Sequence, residues 1–107
     1  MNNQEVYDKV KEHLLSQNLR SINPIGECLY RGENGAMCAV GVLIPDDMYY
    51  SSFESQSCDS EAIRYVLNKF KIDVKFVCKL QIIHDSLSTC MWPKALENVA
   101  TEYGLKP

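Results

Sequence analysis

A nine-residue apolar run, 36–44, constrains the fold more than any other feature of this sequence. Asn34-Gly35 precedes it and can supply the positive φ angles of a tight turn, and a proline ends it. Periodicity does not distinguish a strand from a helix in so short an apolar run. We interpret it as the return strand of a β-hairpin, paired with a strand at 28–31, that passes into a short buried helix. Gly41 then marks a close approach between two backbones.

Four other segments have apolar residues at helical spacing. The predicted helices cover 3–17, from Asp59 or Ser60 to about 69, about 73–86, and from Trp92 to the residue before Gly104. On the third and fourth of these helices, Leu80 and Leu96 are expected to face the core. The predicted fold class is therefore α+β: a mostly helical single domain, 1–107, of four to five short helices with one β-hairpin.

Length and composition exclude several classes of protein. A chain of 107 residues has room for one domain and one core. No window approaches the roughly 18 consecutive apolar residues of a membrane span, and the polar start does not resemble a signal peptide. The net charge of −3 gives no overall attraction to nucleic acid. We therefore expect a cytoplasmic protein without a membrane or nucleic-acid partner.

The cysteines do not follow a recognisable spacing. They lie at positions 28, 38, 58, 78 and 90, an odd number with no CxxC pair. This spacing favours neither a disulfide framework nor a zinc site, and most of these thiols are expected to be buried as small apolar side chains. No sequence motif for a phosphate, nucleotide or metal is present, so we expect neither a cofactor nor a metal.

Cys38 and His84 are the residues most suited to covalent catalysis. A catalytic cysteine needs a thiolate, a base that generates it and a third group that orients the base. Asp85 follows His84, but successive helical residues point about 100° apart, so we expect Asp85 to be poorly placed to orient the imidazole. The competing interpretation is that His84 is a packed imidazole that is hydrogen-bonded to backbone.

An acidic segment with aromatic residues offers a second kind of site. Residues 27–61 contain seven acidic side chains and one basic one, whereas 62–107 contain seven basic and four acidic. In one interpretation the segment complements the basic part of the same chain, with its aromatic rings folded over the core. In the other it binds a partner that has a basic surface. The candidate partner-binding residues are Asp46, Asp47, Tyr49, Tyr50, Phe53 and Glu54.

The stretch from Cys28 to Tyr49 resembles a small family of phage and prophage proteins with the pattern YRGxxGxxCAxGxLIPDxxY. The similarity continues more loosely through 80–85 and 100–105, and it departs at Ser55, where the family has glycine after Phe-Glu. The resemblance implies a phage-like origin and little chemistry of its own. It favours an accessory protein in the host cytoplasm that binds and inhibits or modulates a host or defence protein through the acidic, aromatic segment. The alternative is a small cysteine-dependent enzyme that uses Cys38 and His84.

Overall fold

Four α-helices surround one core in this chain. The structure, a computed structural model, describes residues 1–107. The helices are α1 (Asn3–Gln17), α2 (Glu61–Lys69), α3 (Val74–Ser86) and α4 (Trp92–Glu102). Residues 18–60, here called the irregular segment, join α1 to α2 with short 3-10 turns at Glu33–Gly35, Gly41–Leu43, Asp46–Met48 and Ser51–Ser55. A further 3-10 turn, Thr89–Met91, leads into α4.

The helix boundaries confirm the sequence prediction because local signals determine them. Asn2 accepts the Glu5 N–H at 2.8 Å while the Glu5 carboxylate accepts the Asn2 N–H at 3.0 Å, which is a capping box at the start of α1. Ser60 and Asp73 cap α2 and α3 in the same way through their side-chain oxygens. Each cap satisfies backbone N–H groups that the helix itself leaves free.

The core is formed by all four helices together with the apolar run of the irregular segment. Trp92 and Phe76 are its largest wholly buried side chains apart from a tyrosine of α1, and both Leu80 and Leu96 are buried as predicted. The indole N–H of Trp92 donates to the Leu87 carbonyl at 3.1 Å, so this polar atom is satisfied inside the core. None of the helices has both the length and the apolar character needed to cross a bilayer.

The predicted β-hairpin is wrong, and with it the α+β fold class, because the chain is all-helical. Only two isolated antiparallel bridges form, Ile22 with Cys28 and Arg31 with Met37. The backbone N–H groups of Tyr30 and Arg31 donate to the two carboxylate oxygens of Glu54, at 2.8 and 3.1 Å. These N–H groups are therefore not free to extend a ladder.

The apolar run is held by side chains of the helices rather than by a strand partner. The Gln17 amide accepts the Met37 N–H at 2.9 Å and donates to the Met37 carbonyl at 3.0 Å. Farther along, Gln81 accepts the Val40 N–H at 2.9 Å. A Cβ on Gly41 would lie 2.0 Å from the Tyr30 carbonyl oxygen, which confirms the predicted close approach of two backbones at this glycine.

One cysteine pair also differs from the sequence expectation. Cys58, before α2, and Cys78, on α3, form a disulfide with Cα atoms 5.9 Å apart. Of the remaining thiols only Cys38 is buried, whereas Cys28 is half-buried and Cys90 is exposed. The pairing had no signal in the sequence because α2 lies between the two cysteines and turns the chain back on itself.

Truncation of two residues on opposite faces of α3 tests the core. Leu80→Ala should lower the free energy of unfolding by about 2–5 kcal/mol, because it leaves a cavity at a wholly buried position. Lys75→Ala, on the exposed face of the same helix, should stay within about ±0.5 kcal/mol. Urea unfolding measures both values, and equal effects would show that α3 is rotated about its axis.

Removal of the disulfide tests the covalent link between α3 and the segment that precedes α2. The bond joins residues separated by 20 positions, so the Cys58→Ser/Cys78→Ser variant should lose about 3 kcal/mol of unfolding free energy relative to the oxidised protein. Cys90→Ser, which removes an exposed thiol, serves as the matched control and should have no effect. An unchanged unfolding midpoint for the double variant would contradict the pairing.

Candidate functional site

His84 is wholly buried, and both of its ring nitrogens are occupied. Its Nε2 accepts the backbone N–H of Ser21 at 2.9 Å, which requires a lone pair on that atom. The proton therefore lies on Nδ1, which donates to Asp85 at 2.7 Å. The ring also stacks on Trp92, with centroids 5.6 Å apart. A base for a catalytic thiol needs a free nitrogen, and His84 has none in this arrangement.

Asp85 does orient His84, contrary to the sequence expectation. Nδ1 is the ring nitrogen nearest the main chain, so the carboxylate of the next residue reaches it although the two side chains leave the helix in different directions. Gln81 also donates to this carboxylate, at 2.8 Å. Burial alone would raise the pKa of Asp85, but its interaction with His84 and the hydrogen bond from Gln81 outweigh burial and hold the pKa below its usual value.

Cys38 lies in the core, with no hydrogen bond to His84. Its sulfur accepts the Gly41 N–H at 3.3 Å, and its side chain is wholly inaccessible. Burial raises the pKa of the Cys38 thiol to about 12, and the hydrogen bond from Gly41 offsets only part of this rise. The structure therefore does not bring the two predicted catalytic residues into a nucleophile–base pair.

Cys28, which the sequence analysis did not single out, lies beside His84 and Asp85. The ligand atoms of these three residues all lie within 4.8 Å of one another, which is close enough for a metal site. Two features oppose metal binding: both His84 nitrogens are engaged, and the Arg20 guanidinium lies 3.5 Å from the Cys28 sulfur. These side chains do not fit a metal ion.

The positions of the three side chains in this cluster also differ from those in a catalytic cysteine site. The His84 imidazole is hydrogen-bonded to Asp85 and to the Ser21 N–H, and neither of its nitrogens is hydrogen-bonded to the Cys28 thiol. In a catalytic arrangement the imidazole lies between the other two groups. Burial and the Asp85 charge raise the pKa of Cys28, which keeps this thiol protonated at neutral pH. The cluster is a partly buried polar network that joins α3 to the irregular segment.

Three of the six candidate partner-binding residues, Tyr49, Phe53 and Glu54, contribute to the fold itself. Glu54 is engaged with the Tyr30 and Arg31 backbone, and it also accepts the Tyr49 hydroxyl. Burial and this hydrogen bond raise the pKa of Tyr49 to about 12. Phe53 is buried among core residues. These three side chains fix the segment in place rather than present it to solvent.

The other three candidate partner-binding residues, Asp46, Asp47 and Tyr50, are exposed. The Asp46 side chain is 97% accessible although it pairs with Arg31 at 2.8 Å, and Asp47 is exposed with no hydrogen bond or ion pair. Tyr50 is 64% exposed, and its ring packs edge-on against Phe53 with centroids 5.7 Å apart. This contact limits the freedom of an exposed tyrosine.

Tyr50 lines a groove together with one face of α2. The groove has a volume of about 500 Å³ and is here called the Tyr50–Tyr65 groove. Tyr65, which the sequence analysis missed, is 66% exposed. A signal for it was present, because the α2 residues of the groove recur at helical spacing. The lining residues are Asp47, Met48, Tyr50, Phe53, Ala62, Tyr65, Val66 and Lys69.

No protein-family model, curated protein or solved structure matches this chain. The groove, the polar network around His84 and the surface charges are therefore the features that bear on function.

Alkylation rates distinguish a buried thiol from a catalytic one. With a pKa of about 12 and no accessible surface, Cys38 should react with iodoacetamide at pH 7.5 roughly a thousandfold or more slowly than a free cysteine. Cys90, which is exposed, should react first. Mass spectrometry of peptides after timed labelling gives both rates. If Cys38 were labelled as fast as Cys90, the thiol would not be buried and protonated, and this result would support the catalytic interpretation.

Proposed function

We propose that this protein is a phage-like accessory protein that binds and inhibits or modulates a host or defence protein. The observation that carries the proposal is the Tyr50–Tyr65 groove, which leaves two tyrosines largely exposed beside an apolar floor. Tyrosine is enriched among the residues that dominate binding energy at protein interfaces. The resemblance of 28–49 to phage and prophage proteins supports the biological setting.

The groove is pre-organised, which favours binding. Tyr50 rests on Phe53, Phe53 is buried in the core, and the neighbouring Glu54 is fixed by its hydrogen bonds to the backbone. Side chains already held in one conformation lose little entropy when a partner docks, so more of the contact energy appears as affinity.

The acidic segment that contributes Asp47 and Tyr50 to the groove favours a partner with a basic surface. Residues 27–61 contain seven acidic side chains and one basic one. That single base, Arg31, is engaged with Asp46 and with the Ile44 carbonyl, whereas Asp47 has no partner. The unpaired Asp47 carboxylate, which lines the groove, would attract a basic side chain of the partner, and this attraction would be strongest at low salt.

The alternative, a small cysteine-dependent enzyme, has less support. It requires a thiolate at Cys38 and a free nitrogen on His84, and the geometry favours neither. The cleft that contains Cys28 also holds the Cys58–Cys78 disulfide, but the raised pKa of Cys28 makes it a poor nucleophile.

The proposed setting is the host cytoplasm, where the disulfide would be open. Cytoplasmic dithiol systems keep most protein thiols reduced, so Cys58 and Cys78 would be free thiols there. Neither cysteine lines the Tyr50–Tyr65 groove, and three buried residues of α2 still anchor that helix in the core. The groove would therefore keep its lining in the reduced protein.

Affinity capture tests the proposal with a matched control. The immobilised wild-type protein, the Tyr50→Ala/Tyr65→Ala variant and Ile82→Ala are each incubated with bacterial lysate. Ile82 is 60% exposed and lies on α3 outside the groove. Loss of two interfacial tyrosines should weaken partner recovery about tenfold or more, whereas Ile82→Ala should recover as much as wild type. Equal recovery by all three proteins would remove the groove from the interface.

A further inference from the structure

We infer that the occupant of the Tyr50–Tyr65 groove is an amphipathic helix of the partner, which lies along α2 and carries a basic side chain opposite Asp47. This inference rests on the proposed function and names the kind of segment that the groove recognises. It follows from the faces of α2, from the length of the groove and from two charges that the chain leaves unpaired.

One face of α2 is buried in the core, and a neighbouring face lines the groove. Ile63, Val66 and Leu67 are buried in the core. The groove face consists of the half-buried Ala62, the exposed Tyr65 and Lys69, and the buried Val66, at positions i, i+3, i+7 and i+4, so Val66 belongs to both faces. Tyr65 is 66% exposed on this face. A helix face with this spacing is the surface against which another helix packs.

The dimensions of the groove fit two turns of a helix. From Ala62 to Lys69 the axis of α2 advances about 10 Å, at about 1.5 Å per residue. Ala62 is small, so it allows close approach of another backbone to this part of the groove. A peptide that binds as an added β-strand needs an exposed sheet edge, and this chain has no strand to provide one. The geometry therefore favours a helix over a strand.

The charges of the groove are complementary to an amphipathic segment of mixed charge. Asp47 makes no ion pair, and Lys69 makes none either, although its Nζ lies 5.9 Å from the centre of the Tyr65 ring. Both residues line the same groove without pairing with each other. A bound helix could therefore place a lysine or arginine opposite Asp47 and a carboxylate opposite Lys69, where each would gain a partner.

Selection from two constrained peptide libraries tests this inference. Both libraries have the same randomised side chains, one on a side-chain-stapled helical framework and the other on an extended, proline-containing framework. They are selected together on the immobilised wild-type protein and counter-selected on Tyr65→Asp. Tyr65 is exposed, so this variant should keep the wild-type urea midpoint. Helical ligands with an aliphatic stripe and a basic residue should dominate, and Asp47→Lys should weaken them about tenfold.

A charge exchange gives the sharper readout. When the basic residue of a selected helix is changed to glutamate, its binding to Asp47→Lys should recover at least in part. The inference would be overturned by enrichment of extended ligands, by selected ligands that bind Tyr65→Asp as well as the wild-type protein, or by no enrichment from either library. The proposed function is judged separately: capture from lysate that still depends on Tyr50 and Tyr65 would keep it, even if the helical occupant is wrong.

Discussion

The Glu54 carboxylate is the group on which the arrangement of the irregular segment depends. It accepts the backbone N–H groups of Tyr30 and Arg31, at 2.8 and 3.1 Å, and the hydroxyl of Tyr49. Hydrogen bonds to a charged group contribute about 1.5–3 kcal/mol each, more than those between neutral groups. Glu54 thus accepts the hydrogen bonds that a neighbouring strand would otherwise accept, and it also fixes the aromatic residues next to the groove. Both the fold and the proposed binding surface therefore depend on Glu54.

Helix side chains complete the support of the irregular segment. A long segment without regular structure is usually exposed, because its backbone groups need hydrogen bonds that water supplies. Here Gln17, Gln81 and His84 supply many of them from α1 and α3. The apolar run can therefore be buried without forming a strand. The same role explains why His84 is buried with both nitrogens engaged and is unavailable for acid–base chemistry.

The sequence predicted the features that local chemistry determines. The four helices were correct because caps such as Asn2, Ser60 and Asp73 and the apolar spacing act within a few residues. The hairpin was wrong because the acceptor for the Tyr30 N–H lies 24 residues away, at Glu54, and no local pattern reports such a contact. Tyr65 was missed for a different reason: its face of α2 has a helical pattern, but only the fold shows that this face is uncovered.

Hydrogen exchange at two backbone amides tests the role of Glu54 most directly. Glu54→Gln keeps the size of the side chain but replaces one acceptor oxygen with an NH₂ group, so it can no longer accept both N–H groups. In the wild-type protein the Tyr30 and Arg31 amides should be protected. In Glu54→Gln at least one of them should exchange about tenfold faster or more, as expected for the loss of a charged hydrogen bond, while amides in the middle of α1 keep their rates. Equal protection of both amides in the two proteins would contradict the account.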